Sequence, residues 1–258
     1  MNIAICVTGQ VRTFSAIKHL LASNIHQLQR TWQHASITVF FRTWDTEDVK
    51  QFEEFEYAKK IVATSNLNNA NQQYERRVIS RWGDNEFSRA RLKFNNIEQI
   101  PLAWSLKYDN CVQKNIYERE NNITFDLVLE LRPDTIYLLS KNIKRVPLPF
   151  PYEAHTQGDY KNTFFESFNS HTFIGDLFFI SDSFTHDVIC SFALSVAEEH
   201  TPMAHQSLAM HLQRNNILNP RDAFIEDCVI VRQKHVDQIG INNFSDMSVI
   251  SKIKKIGD

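Results

Sequence analysis

Ile3-Ala4-Ile5-Cys6-Val7-Thr8-Gly9-Gln10-Val11-Arg12 runs straight from an apolar stretch into a glycine and an arginine. Residues 3–7 have no polar alternation, so the run reads as a strand buried on both faces, and such strands sit centrally in parallel sheets. Thr8-Gly9 ends it. Phe14, Ile17, Leu20, Leu21, Ile25 and Leu28 then recur at helical spacing, which predicts a helix directly after the turn.

The same alternation continues outward. Ile37 to Phe41 is a second buried-strand run, and Lys60 to Ala63, around Ile61 and Val62, is a weaker third. The Asn- and Gln-rich stretch from Ser65 to Gln73 is expected to be a surface loop. A helix from Leu102 to Glu120 leads into the strand Phe125 to Leu131, which stops at Arg132-Pro133-Asp134 because Pro133 has no amide to donate. Pro147, Pro149 and Pro151 predict a long irregular loop reaching Ser170. Beyond it come a strand at Phe173 to Ile180, a helix from Phe184 to Glu199 capped by Asp182 or Ser183, a helix from Pro202 to Gln213 and a strand at Cys228 to Val231. The pattern predicts one α/β domain over residues 1–258, Rossmann-like, with a mostly parallel central sheet flanked by helices.

Composition narrows the function. A chain of 258 residues, 43% hydrophobic, can bury one substantial core, and a net charge of -2 gives no global field to attract nucleic acid. The four cysteines, Cys6, Cys111, Cys190 and Cys228, form no close Cys-x-x-Cys pair, so they read as buried free thiols in a reducing cytoplasm. There is no basic leader before the first apolar run and no stretch near the ~20 apolar residues of a membrane span. A cytoplasmic protein is expected, its sequons at Asn122 and Asn243 unused, and Lys252, Lys254 and Lys255 forming a solvated tail or a weak peripheral membrane contact. The six glycines, at 9, 83, 158, 175, 240 and 257, are isolated, which excludes a dinucleotide fingerprint and a P-loop.

Several groups remain that can do chemistry. Thr8 to Arg12 lies at the carboxyl edge of the first strand, the ligand crevice of open parallel sheets. There Gly9 admits a ligand close to the backbone, Gln10 donates and accepts, and Arg12 can grip a phosphate; the alternative is an ordinary turn. Arg42-Thr43-Trp44-Asp45 ends the second strand, where Trp44 can stack on a base and Thr43 can bond to it, or the Trp can simply be core. Arg76, Arg77, Arg81, Arg89, Arg91 and Lys93 can neutralise a phosphate-bearing leaving group, or form a solvated helix face. Arg132-Pro133-Asp134 brings a guanidinium and a carboxylate side by side. Arg132 can bind phosphate, and Asp134 can hold a divalent ion or a sugar hydroxyl; the alternative is a salt-bridged strand terminus. Asp176, out of pattern after Gly175 in an aromatic strand, is the candidate general base. His205-Gln206 and His171 carry weaker signals.

In order and spacing these blocks resemble a family of bacterial and large-virus GT-A glycosyltransferases that build lipopolysaccharide, capsule or other surface glycans. Such proteins commonly open with a strand followed by Ser-Gly-Gln-x-Arg, here Thr8 to Arg12, and carry a strand ending in His-Thr-Trp, here Arg42-Thr43-Trp44. Further on they show a Tyr-Asp-Leu-Val-Ile strand ending in Arg-x-Asp, here Phe125 to Leu129 and Arg132 to Asp134. The resemblance implies a GT-A fold with a nucleoside diphosphate sugar donor across residues 1–139 and a glycan acceptor held by residues 140–258. It implies nucleotide contacts from Thr8, Gly9, Gln10, Arg12, Thr43 and Trp44, and places Asp134 at the aspartate motif of the fold. That motif usually has two aspartates flanking one residue. Arg132 takes the first place here, so leaving-group stabilisation by Mn²⁺ or Mg²⁺ on Asp134 and stabilisation by arginine both stay open. The expected activity is transfer of a hexose or deoxyhexose to a glycan hydroxyl, with Asp176 as base. The alternative is a non-catalytic nucleotide-sugar-binding or scaffold protein of a glycan-assembly complex.

Overall fold

The opening apolar run becomes β1 (Asn2–Thr8), buried from Ile3 onward and hydrogen-bonded on both sides. The structure, a computed structural model, describes residues 1–47, 49–73, 76, 99–140, 143, 155–156, 178–195, 204–217 and 225–256. β1 pairs in parallel with β2 (Ser36–Trp44), from Asn2 opposite Ser36 to Thr8 opposite Arg42. On its other side it pairs in parallel with β4 (Leu127–Leu131), with Cys6 opposite Glu130 and Val7 opposite Leu131. With β3 (Lys60–Ser65), β6 (His155–Thr156) and β7 (Phe179–Ser181) the sheet order is β3-β2-β1-β4-β7-β6. β3, β2, β1 and β4 run parallel; β7 and β6 are antiparallel additions.

Side chains alternate across each strand, which sorts the core into two layers. Ile3, Ile5, Val7, Val39, Phe41, Leu127 and Leu129 meet Phe14, Ile25 and Leu28 of α1 (Phe14–Thr31) on one face. Ala4, Cys6, Phe40 and Val128 pack with Phe125 on the other, under α4 (Gln99–Asn121). Thr13 does not cap α1 with its side chain; its hydroxyl donates to the Val231 carbonyl at 3.0 Å and ties the helix start to the C-terminal part of the chain.

Several boundaries depart from the sequence expectation. The Asn-rich stretch is not a loop throughout: residues 67–73 are helical (α3). Its first turn is satisfied by the Asp45 carboxylate, which accepts the Leu67 amide at 3.2 Å, and by Asn66 Oδ1, which accepts the Asn69 amide at 2.7 Å. Capping outweighs the weak helix propensity of asparagine there. A short α2 (Lys50–Glu53) precedes β3. The helix expected over Phe184 to Glu199 breaks at Ser191 into α5 (Ser183–Cys190) and α6 (Phe192–Ser195), with Asp182 capping the Thr185 amide at 2.6 Å; residues 196–199 lie outside the described residues. α7 (Ala204–Arg214) follows. Of the strand expected at Phe173 to Ile180 only its end is described, and of the long irregular loop only His155–Thr156, which pairs with β7.

A second sheet was not legible. β5 (Thr135–Leu139) starts immediately after Asp134 and pairs antiparallel with β8 (Ile225–Ile230). Beyond α8 (Gln233–Ile239), the basic C-terminal segment is not a free tail but a helix, α9 (Val249–Ile256). Val249, Ile250 and Ile253 pack with Ile136, Val231 and the Ala16, Ile17 and Leu20 face of α1, leaving Lys252, Lys254 and Lys255 exposed. Among the described residues no helix is long and apolar enough to cross a membrane.

Phe41 is fully buried, stacked on Phe52 at 4.5 Å and edge-on to Phe14 and Phe55 at 5.7 and 5.5 Å. Phe41→Ala is expected to cost about 3–5 kcal/mol of folding stability in urea unfolding monitored by circular dichroism.

Candidate functional site

Four parallel strands end at one edge of the sheet, and the register fixes which residues meet there. Thr8 stands opposite Arg42, Trp44 opposite Ser65, and Val7 opposite Leu131, so the segments after β1, β2, β3 and β4 all leave on the same side. Gly9 has φ +141°, a conformation costly for any other residue, and its amide donates to the Arg42 carbonyl at 3.1 Å. A Cβ at Gly9 would lie 3.3 Å from Pro133 Cδ, so the turns after β1 and β4 are in contact. Gln10 and Arg12 are exposed just beyond, Arg12 itself at φ +32°.

Asp134 is the centre of this edge. Its carboxylate is 2% exposed and accepts two parallel bonds from Arg132, from Nε at 2.9 Å and Nη2 at 2.8 Å. Arg12 Nη1 stands 3.5 Å from the same carboxylate. The Arg132 amide donates to the Tyr137 hydroxyl at 2.8 Å, and burial pushes that phenol well above its ordinary range. Two guanidiniums on one buried carboxylate do not fit a divalent ion at Asp134. Both oxygens already accept charge-assisted bonds, and among the described residues the groups of acids, thiols and imidazoles close enough to share a cation do not include it. What the arrangement does provide is two oriented cations side by side, each guanidinium carrying five N–H groups.

A second polar cluster flanks the first. Arg42 donates to Ser65 Oγ at 2.7 Å and Gln113 Oε1 at 3.1 Å and pairs with Asp109 at 3.7 Å, while the Ser65 hydroxyl bonds Asp109. Burial lowers the Arg42 pKa, and Asp109 opposes that shift. Asn110 Nδ2 donates to Thr8 Oγ1 at 2.9 Å and the Phe40 carbonyl at 3.2 Å, leaving its own buried Oδ1 without a partner among the described residues. Asp109, Asn110 and Gln113 were not singled out from the sequence. Their one signal is spacing: they lie three and four apart on a helix expected to pack beside the sheet.

The remaining expected residues divide. Thr8 and Trp44 are buried, the latter 4% exposed, and Thr43 is fully buried with no partner for Oγ1 among the described residues. Asp176, Gly175 and His171 lie outside the described residues, as does the cationic run except Arg76. His205 and Gln206 fall in α7, with their side chains outside the described set.

Under this edge, between β1, β4, α4 and α5, lies a buried polar layer. Glu130 is fully buried, 3.7 Å from Lys107 and 3.3 Å from His186 Nε2. Burial alone would lower His186, but Cys111 and Glu130 outweigh it and push it up to about 9. Lys114 pairs with Glu118 at 3.0 Å and Asp187 at 3.2 Å, and these partners raise its pKa against the effect of burial.

The sequence matches no family model, and no curated protein matches it. Among solved structures, the chain is similar to the galactosyltransferase LgtC, solved with donor and acceptor sugar analogs. That pair shares 9% identity over 85% of this chain and 73% of that one, with a TM-score of 0.44. It is also similar to mouse xyloside xylosyltransferase 1 in its apo form, with 10% identity over 86% of this chain and 85% of that one and a TM-score of 0.46.

Removing the carboxylate at the centre of the edge strands Arg132. Asp134→Ala is expected to cost on the order of 2–3 kcal/mol in chemical unfolding, less than a fully buried pair because Arg132 is 29% exposed, while Asp134→Asn retains part of it.

Proposed function

We propose that the chain is a glycosyltransferase that moves a sugar from a nucleoside diphosphate sugar to a glycan hydroxyl. The observation that carries this reading is the pair of guanidiniums, Arg12 and Arg132, held on the buried Asp134 beside the close-approach glycine at the carboxyl edge of a parallel sheet. Ligands of open α/β sheets bind at that edge.

The chemistry follows from charge. As the bond between the anomeric carbon and the phosphate oxygen breaks, its electron pair goes to the departing diphosphate. Cations fixed in advance stabilise that charge without reorganising. Arg12 and Arg132 supply it, and Asp134 acts by orienting them. Gly9 and Gln10 offer backbone and amide contacts to the donor, while Thr8, Thr43 and Trp44 shape the nucleotide side of the crevice. The acceptor oxygen bonds to the anomeric carbon and its proton passes to Asp176, the proposed base. Residues 140–258 hold the acceptor, a glycan of surface polysaccharide or glycoprotein. The four free cysteines favour a reducing compartment such as the cytoplasm.

The experiment is a thermal-shift screen with UDP, GDP, CDP and dTDP sugars, with and without Mn²⁺, followed by transfer assays. One donor is expected to raise the melting temperature with no need for metal. Arg132→Ala is expected to lower kcat roughly 10²–10³-fold, and Asp176→Ala to abolish transfer while leaving donor binding intact. Donor binding without product from any acceptor marks a non-catalytic binding protein; no shift with any nucleotide sugar removes the reading.

A further inference from the structure

Asp134 can orient Arg132 only if the backbone that carries Arg132 is itself held. β4 is paired with Val7 of β1 as far as Leu131 and with Phe179 of β7 as far as Glu130, so Arg132 is the first residue beyond both ladders. Pro133, next along, has no amide to give. The Arg132 amide donates instead to the Tyr137 hydroxyl at 2.8 Å, five residues further on. Arg132 is thereby gripped at both ends, its backbone by Tyr137 and its guanidinium by Asp134.

Tyr137 is built to hold still. It is buried on β5, its backbone pairs with Cys228 of β8, its ring meets Phe178 edge-on at 6.1 Å, and its carbonyl accepts from Asn24 of α1 at 3.0 Å. Packing beneath the turn is less complete. A cavity of about 20 Å³ lies between the turn and α1, and Val7, Leu131, Arg132, Pro133, Thr135 and Tyr137 contribute to its lining. Apolar contact is lenient where there is space to move into, so the bond to the phenol decides where the Arg132 backbone rests. Thr135, between the two residues that hold the turn, brings its hydroxyl 3.5 Å from Asp134 Oδ1.

We infer that Tyr137 is a positioning residue for the sheet-edge site: its hydroxyl fixes the backbone from which Arg132 reaches Asp134 and the departing diphosphate. The inference rests on the sugar transfer proposed above. Tyr137 itself touches neither donor nor acceptor in this scheme and acts through Arg132. A cation displaced from the position of the developing charge loses most of its effect on the rate, because preorganisation is what makes it useful.

The test uses the full chain and Tyr137→Phe, which keeps the ring and its contact with Phe178 and removes only the hydroxyl. Wild type, Tyr137→Phe, Arg132→Ala and the double variant are assayed with UDP, GDP, CDP and dTDP sugars. Tyr137→Phe is expected to lower kcat by up to roughly 10²-fold with KM for the donor little changed. In the Arg132→Ala background the same substitution is expected to lower kcat no further, whereas a merely structural role would subtract its effect again. If a donor is bound without turnover, the same cycle is read on its dissociation constant. Wild type that binds none of the four donors removes the proposed function and this inference with it. Active wild type with an equally active Tyr137→Phe, or with additive effects in the cycle, overturns this inference alone. Should Tyr137→Phe not fold, amide exchange in the wild type decides: slow exchange at Arg132 supports the inference, and exchange as fast as in an unprotected chain overturns it.

Discussion

β1 is bonded along its length to β2 on one side and to β4 on the other, and every feature of the candidate site depends on that double pairing. Because the three strands are parallel and in fixed register, their last residues come level with one another. The chain then has to leave the sheet at a single edge after each strand. A slip of one residue would turn Cys6 and Glu130 toward α1 and Ile5 and Leu129 toward α4, exchanging the apolar and polar layers, so burial on both faces holds the register. The contact between Gly9 and Pro133 is the local result: two turns from distant parts of the chain approach so closely that a methyl group would crowd them.

Within that frame, Asp134 resolves a conflict between burial and charge. A carboxylate taken out of water is costly unless charged donors surround it, and here Arg132 closes on it bidentately with Arg12 alongside. The exchange works in both directions. The acid is tolerated in the interior, and two long, flexible cationic side chains lose their freedom to wander. Oriented guanidiniums at the mouth of a crevice bind anions better than mobile ones because their ordering precedes binding.

How much of this could be read from residues alone differs by element. Buried parallel strands announce themselves through unbroken apolar runs, so Ile3 to Val7, Ile37 to Phe41 and the strand before Arg132 were legible, and with them the edge that gathers Gly9, Arg12, Arg132 and Asp134. β5 was not, because a strand that starts one residue past Asp134 has no turn residue to separate it, and its partner β8 lies some ninety positions away. Polar propensity misled over residues 67–73, where the first-turn amides are accepted by Asn66 and by the Asp45 carboxylate just past β2. The cysteines were separated in sequence by far more than any metal-binding spacing, and only the packing of α4 against α5 draws Cys111 and Cys190 together. Such tertiary coincidences leave no local pattern.

α4 joins the two layers. Asp109, Asn110 and Gln113 reach the strand ends at Ser65, Thr8 and Arg42, while Lys107, Cys111 and Lys114 enter the interior toward Glu130, His186 and Asp187. Asn110 and Cys111 are neighbours in sequence, so a shift of the helix by one side chain's width at the buried layer moves the edge by the same amount. Packing against Phe40 and Phe125 fixes the distance of the helix from the sheet, but apolar contact alone is lenient about sliding along the helix axis. Buried charge pairs are less lenient, because sliding would separate them. Lys107 to Glu130 and Lys114 to Asp187 therefore set the axial position of the helix, and through Asn110 and Gln113 they set where Thr8 and Arg42 stand relative to the arginine pair on Asp134.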